Sequence, residues 1–361
     1  MKGLFINNSE AKDSIYLSGK MVFDCLRSCK NFALHYQEIN SDNKEILLGY
    51  DFYFINYHPY TMAWLDTKSL RKKLGFVGTI VLEVLPGDPF VMCPEKDFDF
   101  YCVLDPTINI RNNKVFAFPR PLPFEPLSTK FIDSEVPVIG SFGFATKGKG
   151  FQHVVDAVNK EFDRAIIRIN IPFGDFVPNS KEYAAFLEKI CKERAKPGIK
   201  IQVTNNFMSE EELIMWCSEN TINCFLYDRK MPGLSATTDQ AIISGRPLAV
   251  SNNETFRHIT QYIKPYPLWT LKQSITESIP GVIKMQNDWS PQNFANQFIE
   301  LLNKSNKLLN KEGLRGSIVL SDRKYTFTDA IENKIKKYRR KLKLKNLKAL
   351  INDSGDNKKI I

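Results

Sequence analysis

The chain is expected to be an α/β protein of two domains, each built on a parallel sheet, with a basic amphipathic helix at its carboxyl end. Three observations carry this expectation. Apolar runs of strand length alternate with segments of helical periodicity along most of the 361 residues. Small-residue loops around Gly143 and Gly233 each stand between a strand run and a helix. A proline-rich stretch, PRPLPFEPL, divides two alternating series.

In chain order, KGLFINN reads as a strand and SGKMVFDCLRSC as the start of a helix with Ser18 as its cap. DFYFINYHP is a strand ending in His58, GTIVLEVLP one ending near Glu83, and DFYCVLDP one ending at Asp105. Ionisable residues at the ends of parallel strands share the sheet edge where α/β proteins bind ligands. After the linker come a strand (Pro137 to Gly140), a glycine-containing loop with Lys147 and Lys149, and a helix from Phe151 to Phe162. Its Phe151, Val154, Val155, Val158 and Phe162 recur at helical spacing. AIIRINIP is a strand, KEYAAFLEKICKERA a helix and IKIQVTNNFM a strand. SEEELIMWCSEN is a helix capped by Ser209 with acids in its first turn, and TINCFLYD is a strand. The loops at Gly143, Asn206, Asp228 and Gly233 all follow strands, so they can converge on one edge.

MPGLSATTDQAIISGRPLAVSNN then reads as loop, helix and strand. Gly233, Leu234, Ser235, Ala236 and Thr237 let a ligand approach the backbone, and the following helix start attracts an anion such as a diphosphate. Asp239, about one turn into that helix, is placed to accept hydrogen bonds from a ribose. Gly245 and Pro247 end the helix. The upstream KGKG loop also suits phosphate oxygens, although it lacks the GxxxxGK[ST] pattern.

The order strand-GSFG, a KG-starting helix, SEEEL, NCFLYD and GLSATTDQAIISGRPLAVS resembles the carboxyl-terminal half of GT-B fold glycosyltransferases, of the family 4 kind. The FRHI ending and the NYHPYTMAWL segment resemble bacterial and viral surface-glycan transferases of that type. The resemblance covers roughly residues 3 to 305. It implies two Rossmann-like domains facing across a cleft: an acceptor domain over 1–127, a nucleotide-sugar domain over 136–304, and the basic helix and tail over 320–361. In retaining members two acids eight positions apart flank the donor and the second holds the ribose. Asp239 matches the second, and Met231 stands at the first. Lys149 fits the lysine that grips the diphosphate. Ser141 and Phe142 stand where an arginine is expected, with Lys147, Arg168 or Arg257 as candidate substitutes. Phe207 and Met208 match the nucleobase region, and Gly143, Gly233, Leu234 and Ser235 the donor loops.

His58, Glu83 and Asp105 are then candidates to deprotonate an acceptor hydroxyl or to stabilise positive charge at the anomeric carbon. The expected activity is transfer of a hexose-type residue from a nucleotide diphosphate sugar, of UDP or GDP type, to a glycan or lipid-linked acceptor. No cofactor or metal is expected, because the loops offer positive groups and helix starts to neutralise the departing diphosphate. A sugar-nucleotide epimerase of the same architecture and a membrane-associated scaffold without catalysis are the alternatives.

Composition narrows the setting. No run of about 18 apolar residues exists, so no transmembrane helix is expected. Met1 to Ser9 lacks the features of a secretory signal, which argues for a cytoplasmic protein. The seven cysteines are odd in number and read as reduced core residues. Of the net charge of +10, the segment Ile331 to Lys348 supplies +8. Ile331, Ile335, Tyr338, Leu342 and Ala349 fall at helical spacing within it. Such a helix can lie on an anionic membrane surface and make the protein peripheral on its inner face; a solvated helix and a short coiled coil are the other readings. Charge confined to one terminal segment argues against a nucleic-acid partner.

Overall fold

The computed structural model describes residues 1–10, 14–82, 90, 93–109, 111–127, 135–174, 179–230, 233–305 and 316–320. Glu83, Met231 and the basic segment 331–348 lie outside the described residues. The first series runs β1 (Lys2–Asn8), α1 (Ser14–Arg27), β2 (Ala33–Ile39), β3 (Glu45–Leu47), β4 (Phe52–Ile55), α2 (Thr67–Leu74), β5 (Val77–Val81), β6 (Phe100–Val103) and β7 (Val115–Ala117). The second runs β8 (Val138–Phe142), α3 (Phe151–Glu161), β9 (Ala165–Asn170), α4 (Ser180–Arg194), β10 (Ile199–Thr204), α5 (Glu210–Ser218), β11 (Ile222–Phe225), α6 (Thr237–Ile243) and β12 (Leu248–Val250). The chain closes with α7 (Leu271–Glu277), α8 (Ile279–Asp288), α9 (Pro291–Ser305) and β13 (Ser317–Val319).

Two parallel sheets result, as the alternation requires. The first has the order β2-β1-β4-β5-β6-β7 and the second β10-β9-β8-β11-β12. Their central strands are apolar on both faces because both faces are covered. In β1 and β4, Leu4, Ile6, Tyr53 and Ile55 enter one core while Phe5, Phe52 and Phe54 enter the other. In the second sheet Ile139, Ile167, Ile222 and Cys224 pack with α3 and α4, whereas Phe142, Phe225, Leu248 and Val250 pack with α5, α6 and α8.

The last elements return to the first domain. Phe294, Phe298, Leu301 and Leu302 of α9 are buried in the same cluster as Phe5, Phe52, Phe54 and Phe100. The Phe298 ring lies 4.9 Å from that of Phe54. Burying each such side chain contributes about 1.5–3 kcal/mol, so α9 is a structural part of the first domain. The second domain expected over 136–304 therefore gives its final helix to the other core. β13 continues this return by pairing antiparallel with β3, Ile318 opposite Ile46.

Local signals mostly fixed the element ends. Ser209 caps α5 in a full capping box with Glu212, as its sequence implies. Ser18 does not cap α1, which begins four residues earlier. Its Oγ donates instead to the Ser14 carbonyl at 2.8 Å, the back-bonding open to a serine inside a helix. Six of the seven cysteines are buried, and burial pushes the thiols of Cys25, Cys93 and Cys191 up to about 12. Among the described residues no helix is long and apolar enough to cross a membrane.

Candidate functional site

The loops after the strands of the second sheet meet at its carboxyl edge. Asn170, ending β9, is the organiser. Its Oδ1 accepts from Thr204 Oγ1 at 2.8 Å and from the Asn206 backbone at 3.2 Å, its Nδ2 donates to the Asn206 carbonyl at 3.1 Å, and its carbonyl accepts from Gly143 at 3.1 Å. Asn170 thus ties the end of β9 to that of β10 through its buried amide and to that of β8 through its carbonyl. Phe207, 80% exposed, is presented beside Phe144, ring centroids 6.5 Å apart, with Met208 half-buried next to it. An exposed aromatic on an ordered loop is a surface on which a planar ring can stack.

The KGKG loop is shaped first by packing. Gly150 has φ +67°, and a Cβ there would sit 1.8 Å from the Leu226 carbonyl oxygen; Gly148, φ +83°, is pressed on the backbone of Arg229. Only glycine lets the loop lie this close to the end of β11. The consequence is the position of Lys149. Its Nζ donates to Tyr227 Oη at 3.0 Å, with Gly143 directly beside it. Tyr227 Oη is 2.8 Å from Thr237 Oγ1, which is 2.7 Å from Ser235 Oγ. Three hydroxyls and an ammonium therefore form one connected row along the sheet edge. Ser235 is fixed by its backbone N–H on the Thr255 carbonyl at 3.1 Å, and Thr255 Oγ1 donates to the Gly233 carbonyl. Leu234 lies half-buried between them.

Asp239 stands at the other end of this row. The residue is 5% exposed, and its carboxylate takes Nε of Arg120 at 2.7 Å and Nη2 at 2.6 Å, while Nη2 also reaches the Ser235 carbonyl at 3.3 Å. Burial raises the Asp239 pKa, and the Arg120 charge works against that rise. Arg120 comes from the interdomain linker; neither it nor Tyr227 is among the candidates the sequence offers, and Thr237 enters there only as part of the small-residue loop. A linker arginine 119 positions from its carboxylate leaves no local signal.

The remaining candidates divide. Lys147 is exposed on the loop before Lys149. Arg168 points away from the row: it donates to Asn220 Oδ1 at 3.1 Å, pairs with Glu219 at 2.9 Å and lies over the Trp216 ring, at the side where β11 begins. Arg257 crosses the domain seam to Asp105. Asp105, 1% exposed, also accepts from Thr107 N at 3.0 Å and Thr107 Oγ1 at 2.6 Å, so both its oxygens are engaged within the protein. His58, 8% exposed, follows β4 at the carboxyl edge of the first sheet, with the exposed ring of Tyr60 5.5 Å away. The same edge carries a bonded asparagine cluster, Asn56 Nδ2 to Asn7 Oδ1 at 2.8 Å, against which Gly19 of α1 packs. His258 is buried against Trp289, rings 5.5 Å apart, and feels the charges of both interdomain arginines.

The chain does contain an Asp-x-Asp triplet, Asp97-Phe98-Asp99, a spacing that can hold a metal. Here it precedes β6, at the amino edge of the sheet. Asp97 accepts from Thr67 Oγ1, and Asp99 accepts from Val77 N at 3.0 Å and pairs with Arg71. These carboxylates anchor α2 and β5.

No protein-family model and no curated protein matches the sequence. Solved structures do. HepE of Anabaena in complex with UDP and glucose superposes with a TM-score of 0.53 at 10% identity, over 84% of this chain and 99% of that one. The N-terminal domain of Candida albicans trehalose-6-phosphate phosphatase gives a TM-score of 0.55 at 10% identity, over 84% and 97%. A glycosyltransferase from Rickettsia africae gives 0.53 at 9% identity, over 86% and 99%. At such identity the likeness speaks to fold, and the fold is GT-B: two Rossmann-like domains with parallel sheets.

Proposed function

We propose that this protein is a glycosyltransferase that moves a hexose-type residue from a nucleotide diphosphate sugar to a hydroxyl of a glycan or lipid-linked acceptor. The observation that carries the reading is the row Lys149–Tyr227–Thr237–Ser235 at the carboxyl edge of the second sheet. Sugar transfer leaves negative charge on the departing diphosphate, and donors already aligned along its path stabilise that charge without reorganising. Phe207 and Met208 supply the face for the nucleobase, and Asp239 the acid at the ribose end. HepE binds UDP in its structure, which favours uridine as the base to try first. On the opposite edge His58 is the candidate base for the acceptor hydroxyl, and Glu83 its alternative; Asp105 serves as a strut.

No metal is invoked. Lys149 carries the positive charge, and the Asp97 and Asp99 carboxylates are engaged with α2 and β5. Turnover is therefore expected to survive chelation. We place the activity in the cytoplasm, at the inner face of a membrane where lipid-linked acceptors are found.

Calorimetric titration with UDP and GDP, followed by mass spectrometry of reactions of UDP-hexoses with an acceptor panel, tests the proposal. Binding plus acceptor-dependent product is expected. Product without acceptor would make it an epimerase or hydrolase, and absence of nucleotide binding would overturn the reading.

A further inference from the structure

We propose that Arg120 is the cation that holds the nucleoside-side phosphate of the donor. This inference rests on the nucleotide-sugar reading above and assigns one more residue to that site. Three observations lead to it.

The hydroxyl row is cationic at both ends. Lys149 closes one end through Tyr227, and Arg120 closes the other through the Ser235 carbonyl. The row between them consists of hydroxyls: Tyr227 and Ser235 are buried, and Thr237, half-buried, is the one that can donate to a phosphate oxygen.

Arg120 is held ready and within reach. Its side chain is 22% exposed, so a ligand can touch it, and Asp239 fixes it through Nε at 2.7 Å and Nη2 at 2.6 Å. The other terminal nitrogen, Nη1, has no hydrogen-bond partner among the described residues. A guanidinium held through both Nε and Nη2 offers Nη1 to a phosphate without first losing rotational freedom.

The order of groups decides which phosphate. Asp239, at the ribose end, touches Arg120, whereas Lys149 lies at the far end of the row. Arg120 is accordingly placed for the phosphate next to the ribose, and Lys149 for the one that carries the sugar.

Titration of the full chain with UMP and UDP separates the two cations. Arg120→Ala should weaken UMP and UDP alike, each by tenfold or more. Lys149→Ala should weaken UDP by a similar factor while changing UMP little. Arg120→Lys, which keeps the charge and loses the guanidinium nitrogen that Asp239 holds in place, should fall between and carries the test if the alanine variant unfolds. Wild-type affinity for both nucleotides in the Arg120 variants, with only a lower melting temperature, would reduce Arg120 to a linker strut and overturn the inference alone. Failure of the unmodified protein to bind either UDP or GDP would instead overturn the donor reading, and the inference with it.

Discussion

Arg257, in the turn after β12, sets its Nε 3.1 Å from Oδ2 of Asp105 and a terminal nitrogen on the same oxygen, so a buried ion pair crosses the seam between the two domains. A second pair crosses nearby in the opposite sense, Arg120 from the linker to Asp239 of α6. Each domain region thus contributes one arginine and one aspartate. Both carboxylates are almost fully removed from water, which makes the pairs costly to break one partner at a time.

For Asp105 the consequence is structural. Asp105→Ala strands Arg257 and should lower the unfolding free energy by about 3–5 kcal/mol, measured by urea denaturation. Turnover would fall together with the folded fraction. A variant of unchanged stability that has nevertheless lost turnover would return Asp105 to the chemistry.

Asp239→Asn keeps the size of the side chain and removes its charge. It should weaken UDP several-fold while leaving inorganic pyrophosphate bound no more weakly than in the unmodified protein, because the acid is assigned to the ribose. Both ligands weakened equally, in parallel calorimetric titrations, would mean that Asp239 serves only to orient Arg120 and the loop.

His58→Ala separates chemistry from donor binding. Loss of a general base costs about 10²–10⁴-fold in rate, so turnover should drop by that range with UDP affinity near wild type. Full turnover in this variant would pass the role to Glu83.

His258 gives the protein an acid limb. Burial first, and then the positive charges of Arg120 and Arg257, hold its pKa well below 6.5, and the ring stays neutral in the fold. Both ring nitrogens lack hydrogen-bond partners among the described residues. The unfolded chain takes up a proton near pH 6.5 that the folded one refuses, so this contribution to stability is complete above pH 6.5 and is lost as pH falls toward the lowered value. His258→Phe keeps the stack on Trp289 and removes the titration. Its melting temperature should decline less steeply below pH 6.5 than that of the unmodified protein; identical slopes would exclude His258 as the source.

The parallel sheets, α3 to α6 and the Ser209 cap were legible because their causes are local: periodicity, glycine, a serine followed by glutamate. What stayed hidden depends on distance along the chain. Phe294, Phe298 and Leu301 show an ordinary helical stripe, and nothing in it says that the stripe faces Phe54 rather than the neighbouring domain. The KGKG glycines suggested a phosphate cradle, yet Gly148 and Gly150 are needed for contact with β11, and Lys149 alone reaches the row. Arg120 sat in a segment whose prolines spoke only of a linker. Arg168 had the right charge at the right strand, but strand residues alternate in direction, and Glu219 claims it.

The basic segment tests a separate expectation, that it holds the protein to an anionic surface. Truncation after Ser321 removes it but leaves α9 and the pairing of β13 with β3, the two elements that brace the first domain. The truncated protein should therefore keep its melting temperature and its turnover on a soluble acceptor. With each basic residue near the surface adding about 1 kcal/mol, its nine lysines and arginines should decide co-sedimentation with phosphatidylserine vesicles, which truncation abolishes and salt weakens in the full chain. Co-sedimentation unchanged by truncation would place the membrane contact elsewhere. A truncated protein that is insoluble would instead give the segment a role in holding the fold.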